Sequence, residues 1–578
     1  MDFLTVNFQL AILFVAVIAL TLRRFLSASK RSVTMGLNNI PGPPSPSWFK
    51  GNFQQVFNPD AWVFHENLAK KYGSSARLHG PYGAQTLYTC DSKAMHTILV
   101  RDQDMFEEDD GFIEGNLIIF GDGLISTLGH RHRKQRKMLQ PVFSAAHMKE
   151  MIPAFHEVSE KLKDALTKRL HNHSPIQEVD ILSWMGRTAL ELMGQAGLGY
   201  SFDPLTDEDS AHPYSKVIKE LLRVPSTPMK DDPQLTQNDF SPTMTRLQFW
   251  QFNVLPYISW IGTPSYRRLI VNLLPWRDLH HLRDMVDYMY HVAQTIYEGK
   301  KRALEMGDEA VVLQVGGGKD VVSVLMKENM RASAQDRLED TEVISQLRNY
   351  CSTLIFAAMD TTSSAMAHLL HLLAQHCDVQ EKLRQELMEA KRQNDGRNFS
   401  YEELNSLSYL DAVCRETLRL HSPASIVTRR ACQDTVVPLH QSVTGIDGTE
   451  MHEVVVPKNA SVIVSIYNAN RNPDLWGEDA HEWKPERWLS PLPKALVEAR
   501  IPGVYSHLMT FIGGSRSCIG FKFSQLEMKV VISTLIEHFR FSPSGRDSEI
   551  YWQMNGVTAP VVGKDTHPQL PMNISLVN

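Results

Sequence analysis

A glycine-rich segment near the C-terminus carries the residues best suited to chemistry. It runs Phe511-Ile-Gly-Gly-Ser-Arg-Ser-Cys-Ile-Gly520 and holds a single cysteine, Cys518, two residues after Arg516. A thiolate rather than a thiol binds metal, and its pKa falls beside a cation or at the start of a helix. The apolar periodicity after the loop predicts such a helix. Gly514 and Gly520 have no Cβ, so the backbone can turn tightly and lie against a flat ligand.

Two interpretations of Cys518 must be compared, a metal ligand and a residue of the hydrophobic core. One thiolate cannot close a zinc site, which needs four ligands, but it is sufficient as the single protein ligand of a haem iron. The alternative is a small buried apolar side chain, which is what most free cysteines are. The other cysteines show no CxxC pair and suit a reducing compartment rather than a disulfide framework; they are Cys90, Cys351, Cys377, Cys414 and Cys432.

A second polar cluster interrupts a long predicted helix. Apolar residues predict one helix over residues 340–373, and its middle reads Ala357-Ala-Met-Asp-Thr-Thr-Ser-Ser364. Asp, Thr and Ser oppose helix propensity, because their side chains compete for backbone hydrogen bonds. The cluster either kinks the helix, faces solvent or serves chemistry. In the last case, Asp360 and Thr361 are suited to delivering protons to a reacting group.

The pattern Phe511-x-x-Gly514-x-Arg516-x-Cys518-x-Gly520 resembles the haem-ligand loop of the cytochrome P-450 family of haem-thiolate monooxygenases. Three further motifs resemble those of the family and follow in its order: Asp360-Thr361, Glu416-x-x-Arg419 and Pro485-Glu-Arg487. The resemblance covers nearly the whole chain. It implies a mainly α fold with a smaller β-rich lobe in one large domain. It also implies haem b as cofactor and Cys518 as the axial iron ligand, within a loop that includes Phe511, Gly514, Arg516 and Gly520.

The resemblance also assigns roles to the polar cluster and to the Glu-Arg-Arg set. Thr361 would hold dioxygen and an ordered water while Asp360 relays protons, although Ala358 stands where the family usually has glycine. Glu416, Arg419 and Arg487 would form a structural triad behind the haem rather than a catalytic group.

Two more cation-bearing segments resemble the family's contacts to the haem propionates. His132 and Arg136 lie one helical turn apart in a cation-rich stretch, with tryptophan more usual at the first position. Residues 425–428 would line the substrate pocket, and 557–561 offer a second wall. Either Arg429 or Arg430 would then reach a propionate; the sequence leaves the choice open, with Arg430 taken as the cofactor-binding candidate.

The first residues predict a membrane anchor. Residues 3–22 carry no charge and are long enough to cross a bilayer. Arginines and lysines follow them, which favours a cytoplasmic position for the rest of the chain. A cleaved signal peptide would instead carry its positive charge before the apolar run. We therefore expect an anchor at 3–22, a basic and proline-rich linker at 23–52 and a catalytic domain at 53–578 on the cytoplasmic side of the endoplasmic reticulum membrane. The aromatic stretch 249–261 belongs either to the core or to the membrane surface.

Composition and resemblance together limit the classes of function that this chain can have. A net charge of −6 argues against a nucleic-acid partner. The resemblance, closest to fungal membrane-bound members, implies insertion of one oxygen atom of O2 into a lipophilic small molecule by hydroxylation, epoxidation or successive oxidation, in secondary metabolism or xenobiotic oxidation. Electrons would come through a separate NADPH-cytochrome reductase, since no Gly-x-Gly-x-x-Gly fingerprint is present. A haem-thiolate isomerase or dehydratase, which tends to lose the acid-threonine pair, and a non-catalytic haem-binding sensor are the alternatives.

Overall fold

The computed structural model describes residues 36–172, 175–206, 212–221, 250–252, 254–307, 318–331, 340–565 and 567–577. The predicted anchor at 3–22 lies outside these ranges. Within them, no helix combines the length and the apolar character needed to cross a bilayer.

Helices make up most of the described chain. The first ten are α1 (Phe53–Val56), α2 (Trp62–Tyr72), α3 (Ser92–His96), α4 (Asp110–Phe120), α5 (Gly129–Leu139), α6 (Ala145–Asn172), α7 (Ile181–Leu192), α8 (Pro213–Leu221), α9 (Leu255–Ile258) and α10 (Pro264–Leu273). They continue as α11 (Arg277–Met306), α12 (Val321–Arg331), α13 (Asp340–Gln375), α14 (Cys377–Gln393), α15 (Tyr401–Ser406), α16 (Ser408–Leu420), α17 (Ile466–Ala469), α18 (Pro473–Trp476), α19 (Lys494–Ala499) and α20 (Phe521–His538).

The strands form a smaller part of the fold. They are β1 (Ser75–His79), β2 (Gln85–Thr89), β3 (Phe106–Glu107), β4 (Ile176–Asp180), β5 (Ile426–Ala431), β6 (Thr435–Thr444), β7 (Glu450–Val456), β8 (Ser461–Ser465), β9 (Phe539–Pro543), β10 (Ile550–Asn555), β11 (Val557–Val562) and β12 (Pro571–Leu576). The main sheet has the order β1-β2-β8-β5-β3, with β2 and β8 parallel; the other sheets are β4-β12-β9, β6-β7 and β10-β11. The prediction of a mainly α fold with a smaller β-rich part is confirmed.

The long helix α13 crosses the centre of the core. Its apolar residues Ile355, Leu369 and Leu370 are fully buried, and it packs against α7, α11, α16 and α20. The helix begins at the predicted residue and ends two residues beyond the predicted end. Helix α20, which follows the cysteine loop as predicted, is buried along most of its length. The contact between α13 and α20 brings the polar cluster and the cysteine loop into one region of the fold.

The predicted Glu-Arg-Arg triad is assembled behind this region. Arg419 Nη2 lies 2.7 Å and Arg487 Nε 3.3 Å from Glu416 Oε1, and Trp488 Nε1 donates to Glu416 Oε2 at 3.0 Å. Glu416 is fully buried. A buried charge is tolerated when several partners compensate it. Arg419 also donates to the backbone oxygen of Asn470 at 2.9 Å.

The triad is connected to the start of the cysteine loop through Asn470. Its side chain donates to Thr510 Oγ1 at 2.9 Å and accepts from Met509 N at 2.8 Å. Thr510 Oγ1 in turn donates to the Leu418 carbonyl at 2.7 Å. The residues immediately before Phe511 are therefore held by α16 and by the segment that the triad fixes.

Part of the proline-rich linker belongs to the folded domain. Leu37 and Ile40 have no exposed surface. Asn39, between them, donates to Asp447 Oδ1 at 2.9 Å and accepts from Asp447 N at 3.1 Å, in the turn that joins β6 to β7. The structure thus includes residues 36–40 in the packed fold, upstream of the boundary predicted at residue 53. The prediction placed that boundary by composition, and composition does not reveal that two apolar residues in the linker are buried.

A stacked group of aromatic rings joins α13 to α16 and β10. The His368 ring stacks between those of His421 and Trp552, with ring centroids 3.7 Å apart on both sides. Burial lowers the pKa of both His368 and His421 well below the usual value, and nearby histidines and arginines lower it further. Trp552 Nε1 also donates to His371 Nδ1 at 3.2 Å, and His371 Nε2 lies 2.9 Å from Asp547 Oδ1.

Mild acid is expected to destabilise the protein through this stack. His368 and His421 stay neutral in the native state, whereas in the unfolded chain they take up protons near pH 6.5. The two neutral rings therefore make their full contribution to the free energy of unfolding above about pH 6.5. The free energy of unfolding falls as the pH drops below that value, by up to about 1.4 kcal/mol per pH unit for each ring. Urea unfolding at pH 7.5 and 5.5 measures this loss. His421→Gln should reduce the pH slope, while His452→Gln, at an exposed position on β7, should leave it unchanged; equal slopes in all three proteins would contradict the assignment.

Candidate active site

The loop before Cys518 is closed by backbone contacts. Cys518 N donates to the Phe511 carbonyl at 3.0 Å, and residues Gly514–Arg516 form one turn of 3₁₀ helix. Gly514 has φ +76°, in the left-handed region, and a Cβ there would lie 1.8 Å from the Leu99 carbonyl oxygen. Any side chain at this position would push the loop away from the segment before β3. The loop shape predicted from the glycines is therefore imposed by close packing.

The environment of Cys518 differs from that of the buried cysteines. Burial raises the pKa of the Cys518 thiol, while a hydrogen bond from the Gly520 backbone and the charge of Arg136 act in the opposite direction. Its side chain nevertheless keeps exposed surface. Cys90 and Cys414 are buried, and burial raises the pKa of each thiol to about 12. Of these three cysteines, Cys518 is therefore the one whose side chain is accessible to a ligand and has neighbouring groups that favour a thiolate.

The polar cluster of α13 divides into two sets of residues. Thr362 Oγ1 donates to Ser524 Oγ of α20 at 3.4 Å, and Ser364 Oγ donates to the Thr558 carbonyl of β11 at 2.6 Å. These two hydroxyls join α13 to its neighbours. Thr361 Oγ1 instead donates to the carbonyl of Ala357, one turn earlier, at 2.6 Å. Asp360 and Thr361 are half-buried and Ala357 is exposed, whereas most residues from 352 to 374 are buried. This side of the helix therefore faces accessible space.

Helix α5 places its predicted pair against the cysteine loop. Arg136 donates to the carbonyl and to the hydroxyl of Ser517, at 2.7 and 2.9 Å, directly before Cys518. His132 is buried. Burial, together with the charges of Arg516, Arg136 and Arg133, lowers the pKa of His132 to about 3. The imidazole is therefore neutral at physiological pH and can donate a hydrogen bond without adding a charge.

A small polar cavity lies between α5, the cysteine loop and β5. Its lining includes His132, Arg429 and Arg516, together with Glu108. Arg516 also donates to the Leu124 carbonyl at 3.3 Å. The predicted residues His132 and Arg516, which lie 384 positions apart in the sequence, thus meet at one site.

The structure places Arg429 rather than Arg430 at this cavity. Arg429 is buried and its Nη2 lies 3.4 Å from Glu108 Oε1. Arg430 is partly exposed and donates to Asp110 Oδ2 at 2.6 Å. Successive side chains of a strand point to opposite faces, so only one of two neighbouring arginines on β5 can reach the cavity. Arg430, the candidate taken from the sequence, is paired elsewhere.

The donor set at this site fits a haem. The accessible thiol of Cys518 on a closed loop would offer the iron one ligand, and Gly520 has no side chain to keep the backbone away from the haem. Arg429 and His132, which are buried, and Arg516, which is half-buried, offer donors for the two propionate carboxylates, which need such partners. When bound, Cys518 would hold the iron and these three residues the propionates. Arg429 is one of the two arginines between which the sequence left the choice open. Glu108 completes the set and was not identified from the sequence, where the acidic run 107–110 is the signal that could have been used.

Comparisons with known proteins also indicate a haem protein. The model of the family described as "Cytochrome P450" matches residues 41–252 and 258–562. Cytochrome P450 monooxygenase 91 of Postia placenta is 47% identical over 541 residues, which cover 94% of each chain. A ganoderic acid synthetase of Ganoderma lucidum is 42% identical over 541 residues, covering 93% of this chain and 94% of the relative. The chain therefore belongs to the cytochrome P450 family and is a haem-thiolate monooxygenase similar to those of fungi.

Proposed function

We propose that this monooxygenase oxidises a lipophilic small molecule of secondary metabolism, using O2 and electrons from an NADPH-cytochrome reductase. When bound, haem supplies the iron at which dioxygen is activated, with the Cys518 thiolate donating electron density. The observation that supports the proposal is the contact between α13 and α20, in which Thr362 Oγ1, directly after Asp360 and Thr361, donates to Ser524 Oγ at 3.4 Å, six residues after Cys518.

Thr361 and Asp360 are suited to managing protons at this site. Because Thr361 Oγ1 uses its own proton in the bond to the Ala357 carbonyl, its lone pairs remain available to accept a hydrogen bond from a water. Asp360 precedes it on the helix, so its side chain points about 100° around the axis. The carboxylate is therefore placed to exchange protons through water rather than by direct contact with Thr361.

The exposed basic residues of α5 support a role for this helix in binding the reductase. Arg136 faces the cysteine loop from this helix, while His130, Arg131, Arg133, Lys134 and Lys137 are exposed. A basic surface attracts an acidic partner and accelerates its association. An electron donor bound here would lie on the side of the protein that carries the cysteine loop.

The sequence and exposed aromatic residues support a proposal of membrane attachment. Residues 3–22 would anchor the chain in the endoplasmic reticulum membrane with the catalytic domain in the cytoplasm. Trp48 is 54% exposed and Trp260 is 76% exposed. Tryptophan favours the boundary between lipid and water, so both residues are suited to contact with the membrane. Trp260 lies in the aromatic stretch 249–261, for which this supports a surface position over a core position.

The name of one relative supports a proposal of successive oxidation. That relative is a ganoderic acid synthetase by name. Formation of a carboxylic acid from an unactivated carbon requires successive oxidations, and we propose this capacity for the present chain. Val427 of β5, half-buried and on the same face of the strand as Arg429 two residues later, supplies an apolar wall suited to a lipophilic molecule.

Product profiling tests the proposal. Microsomes that contain the full chain and an added NADPH-cytochrome reductase would be incubated with terpenoid, steroid and aromatic panels, with the reduced CO spectrum as control for bound haem. A product heavier by one oxygen, dependent on NADPH and absent from Cys518→Ser, would support monooxygenation; further oxygen-containing products would support successive oxidation. A product isomeric with its substrate and formed without NADPH would overturn the proposal in favour of an isomerase.

A further inference from the structure

Glu108 is a buried carboxylate between two arginines of the polar cavity. Its Oε1 lies 3.4 Å from Arg429 Nη2, and its Oε2 lies 3.1 Å from Arg516 Nε. Glu108 is 7% exposed and Arg429 is 5% exposed. Each carboxylate oxygen thus has its own arginine, and the three side chains connect the segment after β3, strand β5 and the cysteine loop.

The charges around this cavity do not require Glu108 for balance. Two haem propionates carry two negative charges, and Arg429 with Arg516 would balance them. His132 is neutral at physiological pH, and Arg136 is bound to Ser517 beside Cys518, whose thiolate it would balance when haem is bound. Arg133 and Asp104, which also line the cavity, are both exposed and lie 3.3 Å apart, so they largely cancel. Glu107, the remaining charged residue of the lining, is half-buried and accepts from Cys432 Sγ at 3.7 Å, so it adds negative rather than positive charge. Glu108 therefore adds a buried negative charge in excess.

A buried excess charge near the haem affects its electron affinity. One-electron reduction of ferric to ferrous iron adds one negative charge to the haem and moves no proton by itself. A nearby carboxylate opposes that addition, because charges interact strongly where solvent screening is weak. Glu108 also neutralises part of the positive charge of both arginines, and this further lowers the tendency of the haem to accept an electron.

We propose that Glu108 is a positioning residue that orients Arg429 and Arg516 for the propionates and, through its charge, lowers the reduction potential of the haem iron. Its role differs from that of the arginines, because it repels the propionates that they attract. It therefore makes the resting ferric enzyme harder to reduce.

Redox titration of the haem-loaded full chain tests this proposal. The protein would be reduced stepwise with dithionite under anaerobic conditions and followed by its Soret band. Glu108→Gln should move the midpoint to a more positive potential, with at least a tenfold larger equilibrium constant for reduction, equivalent to about 59 mV for one electron. Glu108→Asp, which retains the charge, should stay closer to the wild type than Glu108→Gln does.

Two further variants show whether the shift depends on the charges at this cavity. Asp110→Asn removes a carboxylate paired with Arg430 instead of the cavity arginines, and should leave the midpoint unchanged. Arg429→Gln removes a cation from the same cavity and should move the midpoint in the negative direction, which provides a test even if Glu108→Gln does not fold. An unchanged midpoint in Glu108→Gln with an intact reduced CO spectrum, or an equal shift in Asp110→Asn, would overturn the proposal.

Discussion

Cys518→Ser is expected to remove the red-shifted Soret band of the reduced CO complex and to abolish oxygenation. A serine hydroxyl does not ionise near neutral pH and cannot replace the thiolate that donates electron density to the iron. The loop itself should persist, because Cys518 contributes its backbone N–H rather than its side chain to the bond with the Phe511 carbonyl. Difference spectra of purified protein, normalised to haem content, measure the effect.

Cys377→Ser is the matched control for this prediction. Cys377 is an exposed cysteine at the first position of α14, and its replacement should leave the spectrum and the activity unchanged. A red-shifted band that survives in Cys518→Ser would assign the iron ligand to another residue. Loss of the band in both variants would point to a general effect of cysteine replacement instead.

Thr361→Ala is expected to separate NADPH consumption from product formation. Without the hydroxyl, an ordered water is held less well at the site, so proton delivery is less selective. More of the electrons from NADPH then reduce O2 to hydrogen peroxide instead of supporting product formation. Positioned proton transfer contributes about 10²–10⁴-fold to a rate, so we expect product per NADPH to fall by about tenfold or more. Parallel assays of NADPH, product and peroxide give the ratio directly.

Thr362→Ala provides the comparison on the same helix. Its hydroxyl bonds to Ser524 of α20, so its loss should weaken the contact between the two helices and leave coupling close to that of the wild type. If Thr361→Ala retained full coupling, the proton relay would have to involve other residues. If both variants lost coupling equally, the effect would come from displacement of α13 as a whole.

The sequence was most informative where the determining contacts are local. The extent of α13 follows from apolar residues repeated along one segment, and the turn at Gly514 follows from a backbone conformation that glycine adopts without strain. Both were predicted. The cysteine loop was predicted for the same reason, since its ligand, cation and glycines lie within ten consecutive residues.

The parts that the sequence left open depend on long-range pairing. The choice between Arg429 and Arg430 depends on which face of β5 meets the cavity, and this is set by the pairing of β5 with β8 and β3. Glu108 acquires its role from Arg429 and Arg516, which lie hundreds of positions away. In the α13 cluster, Thr361 was singled out by the resemblance alone; the different partners of Thr361 and Thr362, a carbonyl of the same helix and a hydroxyl of another, become visible only in the structure.

The packing of residues 36–40 has a consequence for protein engineering. Because Leu37 and Ile40 are buried and Asn39 is bonded to the turn between β6 and β7, a shortened chain for expression should keep these residues. Removal of everything before residue 53 would leave their sites on the catalytic domain exposed to water and favour aggregation. An exchange of the N-terminal segment with that of another enzyme is best made before Gly36, so that residues 36–40 stay with the catalytic domain against which they pack.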